Sequence, residues 1–245
     1  MAVAILREAG INNISIDLIS GFEMLSDEDW EYNIKEAILL GPQHISAYQM
    51  SIEPGSALGA MYKRGEYAGL SDEECEAQYR TLQRLLAEGG YDQYEISNFA
   101  LHSEDGRYKS KHNSSYWEGV PYLGLGPAAH SYNGYQRLWN GNSVAGYCRH
   151  YAEMPIGTTS KGALLEFGGY EVLSAEDVFN ESIMLGLRTV AGVSLSSLDQ
   201  SFLSEVKGEI MRHCRLGNLL KDGDKIRIPS EKLFVSDGII KDLFI

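Results

Sequence analysis

The chain has 245 residues, 44% hydrophobic and 22% charged, with 21 Lys and Arg against 34 Asp and Glu for a formal net charge of −13. These are globular proportions, which exclude disorder and collagen-like order, and the length allows one large α/β domain or a medium domain with a small one. A surface this acidic opposes phosphate backbones, which are bound through clustered Lys and Arg, and the longest apolar runs fall far short of the roughly 20 residues that a membrane span needs.

The first ten residues carry Arg7 and Glu8 in place of the apolar block of a secretory signal, so the expected compartment is the cytoplasm. A helix is predicted over 2–9, stopped at Gly10, followed by a strand over 14–19 in which Ile14, Ile16 and Leu18 alternate with Ser15 and Asp17. Ser26 with Asp29 three residues later signals a helix start, and Trp30, Ile34, Ala37 and Ile38 recur at helical spacing up to Gly41 and Pro42. A second strand over 45–50 follows at once, so strand, helix and strand form a βαβ unit with a parallel pair. Ser71 and Glu74 repeat the start signal for a helix over 72–88 ending at Gly89 and Gly90, and 91–99 reads as one further strand.

Periodicity fades from 100 to 169, a Gly-, Tyr- and Asn-rich stretch that holds His102, His112, His130 and His150, four of the six histidines. Long irregular stretches of this kind are usually functional or mobile. Helical order returns after Ser174, with Asp177 at the third position, and runs to 188. A short helix near 195–198, a longer one near 202–216, strands over 218–221 and 225–228 and a last helix over 231–244 make a winged-helix-like end. The expected division is therefore 1–100, 101–169 and 170–245.

Cys75, Cys148 and Cys214 are far apart and form no CxxC or CxxxCxxC spacing, so neither a zinc site nor an iron–sulfur cluster is expected from them. Asp17 lies near the carboxyl end of a parallel strand, followed by Ser20 and Gly21, where sheets of this class place ligands. Its carboxylate can accept two ribose hydroxyls or simply cap the next loop. Glu53, before Pro54 and Gly55, occupies the corresponding place after the second strand. The string His112-Asn113-Ser114-Ser115-Tyr116-Trp117, preceded by Arg107, Lys109 and Lys111, has parts that suit a porphyrin: an imidazole for iron, rings to stack and cations for propionates. The same histidine also reads as plain surface. Beside it, the string from Tyr122 to His130 contains Gly124 and Gly126, and His130 is a second candidate iron ligand.

Taken in order, DLISG from Asp17, HISAY from His44, IEPG from Ile52, YEISNFA from Tyr94, HNSSYW from His112 and GLGPAAHS from Gly124 resemble the landmarks of the oxygen-independent coproporphyrinogen III oxidase-like radical S-adenosylmethionine proteins. The HNxxYW and GLGPxAH strings resemble the heme chaperone branch, and the likeness extends through Gly186-Leu187-Arg188-Thr189. The resemblance implies the second half of a parallel (β/α) barrel followed by a small winged-helix-like α+β domain. It also implies S-adenosylmethionine contacted by Asp17 and heme held by His112, Asn113, Tyr116, Trp117 and His130, for delivery to a client protein. Two features depart from the pattern: Phe22-Glu23 stands where the family has Leu-Pro, and Ala128 where it has glycine. The cluster-binding CxxxCxxC motif is absent as well, so heme binding is expected to persist without cluster-dependent radical chemistry.

Two alternatives are a coproporphyrinogen oxidase completed by a separate half and a non-catalytic interaction module. DNA contact through Lys207, Arg212, His213 and Arg215 is opposed by Glu205 and Glu209 on the same helix. A partial barrel also predicts an unpaired strand edge open to self-association.

Overall fold

A computed structural model describes residues 1–153 and 168–245. Helix α1 (Ala2–Glu8) leads into β1 (Ser15–Ser20), and α2 (Asp27–Leu40) crosses to β2 (His44–Gln49), which pairs with β1 in parallel from Ser15 opposite His44 to Ser20 opposite Gln49. The predicted βαβ unit is thus present. Ser26 Oγ accepts the Asp29 amide at the start of α2, and Gly41 ends that helix at φ 62°, a left-handed conformation that costs glycine nothing.

A short helix, α3 (Ala57–Lys63), follows β2, capped by Ser56. Helix α4 (Asp72–Glu88) has a complete capping box between Ser71 and Glu74. Its apolar stripe of Leu82, Leu85 and Leu86 meets Trp30, Ile34 and Ala37 of α2 and Ile45 and Ala47 of β2 in one core. Each fully buried Leu or Ile contributes about 2 kcal/mol.

The single strand expected over 91–99 is instead a hairpin. Strands β3 (Tyr91–Gln93) and β4 (Asn98–Leu101) pair antiparallel around a turn closed by the Tyr94 amide donating to the Asn98 carbonyl. The turn is held from outside, because the Ile96 amide donates to the Arg188 carbonyl. Strand β4 then pairs antiparallel with β2, so the sheet order is β1-β2-β4-β3. Among the described residues only β1 and β2 of this sheet run parallel, which corrects the expectation of an all-parallel set over 1–100. The outer edge of β1 has no strand partner among the described residues.

The stretch expected to be irregular holds short regular elements between its turns and loops among the described residues. It contains α5 (Lys111–Trp117), β5 (His130–Tyr132), β6 (Gln136–Asn140) and α6 (Val144–Glu153), and β7 (Gly168–Val172) completes an antiparallel sheet in the order β5-β6-β7. The part of that expectation on 154–167 lies outside the described residues.

Helix α7 (Ala175–Leu187) again has a full capping box, between Ser174 and Asp177. It packs with β8 (Val193–Ser194), a 3-10 turn over Leu195–Ser197, α8 (Gln200–Arg215), β9 (Leu220–Asp222) and β10 (Lys225–Arg227), and the three strands form an antiparallel sheet in the order β8-β10-β9. The last helix expected over 231–244 is a 3-10 turn (Ser230–Val235) continued by α9 (Ser236–Lys241). Phe179, Ile183, Leu187, Val206, Ile210 and Ile226 lie in this second core. Tyr79 of α4 packs against both cores, and Gln83 of α4 donates to the Ser230 carbonyl.

On α8, Arg212 is held by Glu209 at 2.5 Å and by Asp242 at 2.6 Å, while His213 is buried against Asp242 and Asn218. Two of the four basic side chains considered for DNA contact are therefore committed within the protein.

Candidate functional site

The two-residue alternation of β1 and β2 gives their sheet one apolar and one polar face. Ile16, Leu18, Ile45 and Ala47 turn toward α2 and α4, while Ser15, Asp17, His44, Ser46 and Tyr48 line a cleft of about 680 Å³ on the other side. The opposite wall of that cleft is the loop running into α5, which brings Arg107, Lys109, Lys111 and Asn113 to the same space. Asp17 and the basic residues before HNSSYW, some ninety positions apart in the chain, thus face one another. Asp17 stands on the sheet face rather than beyond the strand end, with its carboxylate exposed to the cleft.

A hydrogen-bond chain ties the polar face to α5. His44, 6% exposed, has Nδ1 at 2.7 Å from Ser15 Oγ and Nε2 at 2.8 Å from the Tyr94 hydroxyl, which accepts the Ser110 amide at 3.2 Å. Neutral His44 donates from one ring nitrogen and accepts at the other, so either tautomer keeps both of its contacts, to Ser15 and to Tyr94. Burial pushes the His44 pKa down, partly opposed by the Asp17 charge, and burial raises Tyr94 to about 12. Both groups are therefore neutral near pH 7. Ser110 in turn caps α5, with Oγ accepting the Asn113 amide. Sequence reasoning singles out neither His44 nor Tyr94 as functional. The available signal is the alternation of His44, Ser46 and Tyr48 with Ile45 and Ala47.

Helix α5 sends its aromatic side chains to opposite sides. The His112 ring meets Tyr116 edge-on at 4.9 Å, Tyr116 meets Tyr122 at 4.8 Å, and Tyr122 meets Tyr132 at 6.0 Å. Tyr116, Tyr122, Leu123, Leu125 and His130 line a second cleft of about 570 Å³, where Leu123 and Leu125 are 77% and 79% exposed. His130 is exposed, its ring stacked on Trp139 at 5.8 Å. The two histidine strings therefore meet through Tyr116 and Tyr122. Trp117 faces away from this cleft, into a third space beside Tyr94 and Lys109.

Gly124 is required by the chain itself, since a Cβ there would lie 2.0 Å from the His130 carbonyl oxygen. Ala128 has φ 58°, the left-handed conformation in which glycine carries no Cβ penalty.

The cysteines do not fit an iron–sulfur cluster. Cys75 is buried in α4, Cys148 is exposed on α6 and Cys214 is half-buried on α8. Among the described residues, the group of three potential ligands that converges is Glu209, His213 and Asp242, and Arg212 already neutralises its carboxylates. Among the same residues, no helix is long and apolar enough to cross a membrane.

A heme chaperone HemW of Mycobacterium tuberculosis is 29% identical over 234 residues, covering 96% of this chain and 56% of the relative. The heme chaperone HemW of Synechocystis is 32% identical over 197 residues, covering 80% and 45%. In structure, the chain matches the coproporphyrinogen III oxidase HemN of Escherichia coli, a radical SAM enzyme, with a TM-score of 0.68 at 17% identity over 99% of this chain and 57% of that one. The chain is similar to the HemW heme chaperones over most of its own length, and it shares the fold of HemN. It spans about half the length of the curated relatives it matches. No family model matches. The strings HISAY, HNSSYW and GLGPAAHS line the clefts around α5.

Proposed function

We propose that this HemN-like chain binds heme on the face of α5 that carries His112 and Tyr116 and passes it to a heme-accepting client. The observation that carries the reading is the convergence of HNSSYW and GLGPAAH on one cleft: Tyr116, Tyr122 and His130 line it, exposed Leu123 and Leu125 offer an apolar wall, and the His112 ring stands behind Tyr116, edge-on to it at 4.9 Å. Lys109 and Lys111 supply cations for propionates on the adjoining side, with Asn113 beside them. Asp17 has the chemistry to accept ribose hydroxyls of S-adenosylmethionine. Cluster-dependent cleavage of that cofactor is outside the proposal, because the three thiols of this chain stand on separate helices.

Heme titrated into the purified chain should give a Soret shift that His112→Ala or His130→Ala weakens at least fivefold. His102→Ala, an exposed histidine paired with Asp92 at 2.7 Å, should leave it unchanged. Equal loss in all three variants would reduce the binding to nonspecific association. Self-association through the outer edge of β1, which has no strand partner among the described residues, belongs to the same reading. Sedimentation velocity should show a concentration-dependent dimer, and a monomer at every concentration would remove that part.

A further inference from the structure

The turn between β3 and β4 is a clasp between the two cores. Its Ile96 peptide straddles the seam: the carbonyl accepts the Tyr79 hydroxyl of α4 at 2.7 Å, and the amide donates to the Arg188 carbonyl at the end of α7 at 3.0 Å. The Val190 amide returns a bond to the Tyr94 carbonyl at 3.2 Å, and between them Glu95 stands opposite Thr189 in an isolated antiparallel bridge. Residues 94–96 thus hold the 188–190 segment through their backbone.

The side chain at the centre of this clasp is a carboxyl without a partner. Glu95 is fully buried, and neither of its oxygens is hydrogen-bonded. Asn98 Oδ1, on the side chain beside it, is a second buried acceptor without a donor. Among the described residues no cation pairs with Glu95, and Arg188 commits its guanidinium to the exposed Asp237 at 2.6 Å. The titratable groups that feel its charge are phenols, Tyr79 from α4 and Tyr94 from the turn itself, and burial keeps both neutral. His44 lies beyond the Tyr94 hydroxyl, and burial pushes its imidazole down. A neutral carboxyl suits this place, because its O–H can be given to Asn98 Oδ1 and so satisfies two buried groups at once. A carboxylate sets acceptor against acceptor and buries an unpaired charge.

We infer that Glu95 is a proton-operated latch on the seam between the two cores. With its carboxyl neutral, the turn grips the 188–190 segment. When the proton passes to solvent, the charge is better hydrated outside the seam than within it, and the Ile96 and Val190 bonds open locally. Because the Tyr94 hydroxyl also holds His44 and the Ser110 amide, the opening reaches the start of α5.

The test is amide hydrogen exchange of the full chain, read by NMR at pH 5, 6.5 and 8 and corrected for the intrinsic pH dependence of exchange. Ile96 and Val190 should lose protection tenfold or more from pH 5 to pH 8, and tenfold corresponds to about one pKa unit between the closed and the open seam. The Ile34 amide, inside α2, should change less than twofold. In Glu95→Gln, which keeps the neutral shape and cannot ionise, the loss at Ile96 and Val190 should vanish although His44 is still present. The wild-type chain gives the same answer without a variant, since the carbon-13 shift of the Glu95 carboxyl should titrate above the ordinary carboxyl range, with its midpoint where protection is lost. Protection that does not change with pH, an equal loss in Glu95→Gln, or a Glu95 midpoint in the ordinary range would overturn the latch. No ligand enters the experiment, so its outcome is independent of the heme titration.

Discussion

Replacing Tyr94 by Phe removes one oxygen from the chain that joins the sheet to α5 and preserves the ring. The remaining phenyl ring keeps its packing against His44, 5.8 Å between centroids in the wild type, and its face toward Lys109. Two groups lose a partner. His44 Nε2, on a side chain 6% exposed, is left without its partner at 2.8 Å, and the half-buried Ser110 amide loses its acceptor at 3.2 Å. A stranded buried polar group costs about 1–3 kcal/mol and an ordinary hydrogen bond about 0.5–1.5 kcal/mol, so the sum is about 2–4 kcal/mol. For a chain of this length each kcal/mol lowers Tm by roughly 2–4 °C, which gives a fall of roughly 4–16 °C by circular dichroism. A double-mutant cycle with His44→Leu isolates the link, because the two losses should be strongly non-additive if His44 and Tyr94 act as one unit. A Tm within about 1 °C of wild type for Tyr94→Phe, or full additivity with His44→Leu, would refute the chain as a structural connection.

Ala128→Gly should stabilise the protein by about 0.5–1 kcal/mol, read as a higher midpoint in urea: relief of a left-handed alanine at φ 58° exceeds the added freedom of the unfolded chain. Glu95 is fully buried with neither carboxylate oxygen in hydrogen-bond geometry, and burial raises its pKa despite nearby amides of the 96–98 turn. Its native carboxyl therefore holds a proton to higher pH than in the unfolded chain, and the stability this gives below the ordinary carboxyl range is lost as pH rises through the raised value. Glu95→Gln should accordingly gain stability over wild type as pH increases from 4 to 7, and a constant difference across that range would contradict the assignment. Anaerobic reconstitution of this chain with iron and sulfide should yield no four-iron cluster and, with dithionite and S-adenosylmethionine, no 5′-deoxyadenosine; product abolished by Cys75→Ala would overturn the reading of the thiols.

The sequence alone determined the elements whose causes are local. Ser26, Ser71 and Ser174 each cap a helix within three residues of themselves, so the starts of α2, α4 and α7 were legible, and the limits of α4 agree with those its pattern predicts. The parallel pairing of β1 and β2 followed from two short apolar strands around one helix. Tertiary structure decided whatever depends on distant partners. The turn at 94–97 breaks a plausible strand because its amide is taken by Arg188, and β5, β6 and β7 are three to five residues long, too short to leave a periodic signature. The sites divide in the same way. HNSSYW and GLGPAAH were recognisable as strings, but only folding sends Tyr116 and Trp117 to different clefts and sets Asp17 across from Lys109. His44 and Tyr94 are 50 residues apart, and no local pattern encodes their bond. Hydrogen bonds and caps within a few residues are fixed by neighbours in the chain, whereas a cleft is fixed by which surfaces pack together once the cores close.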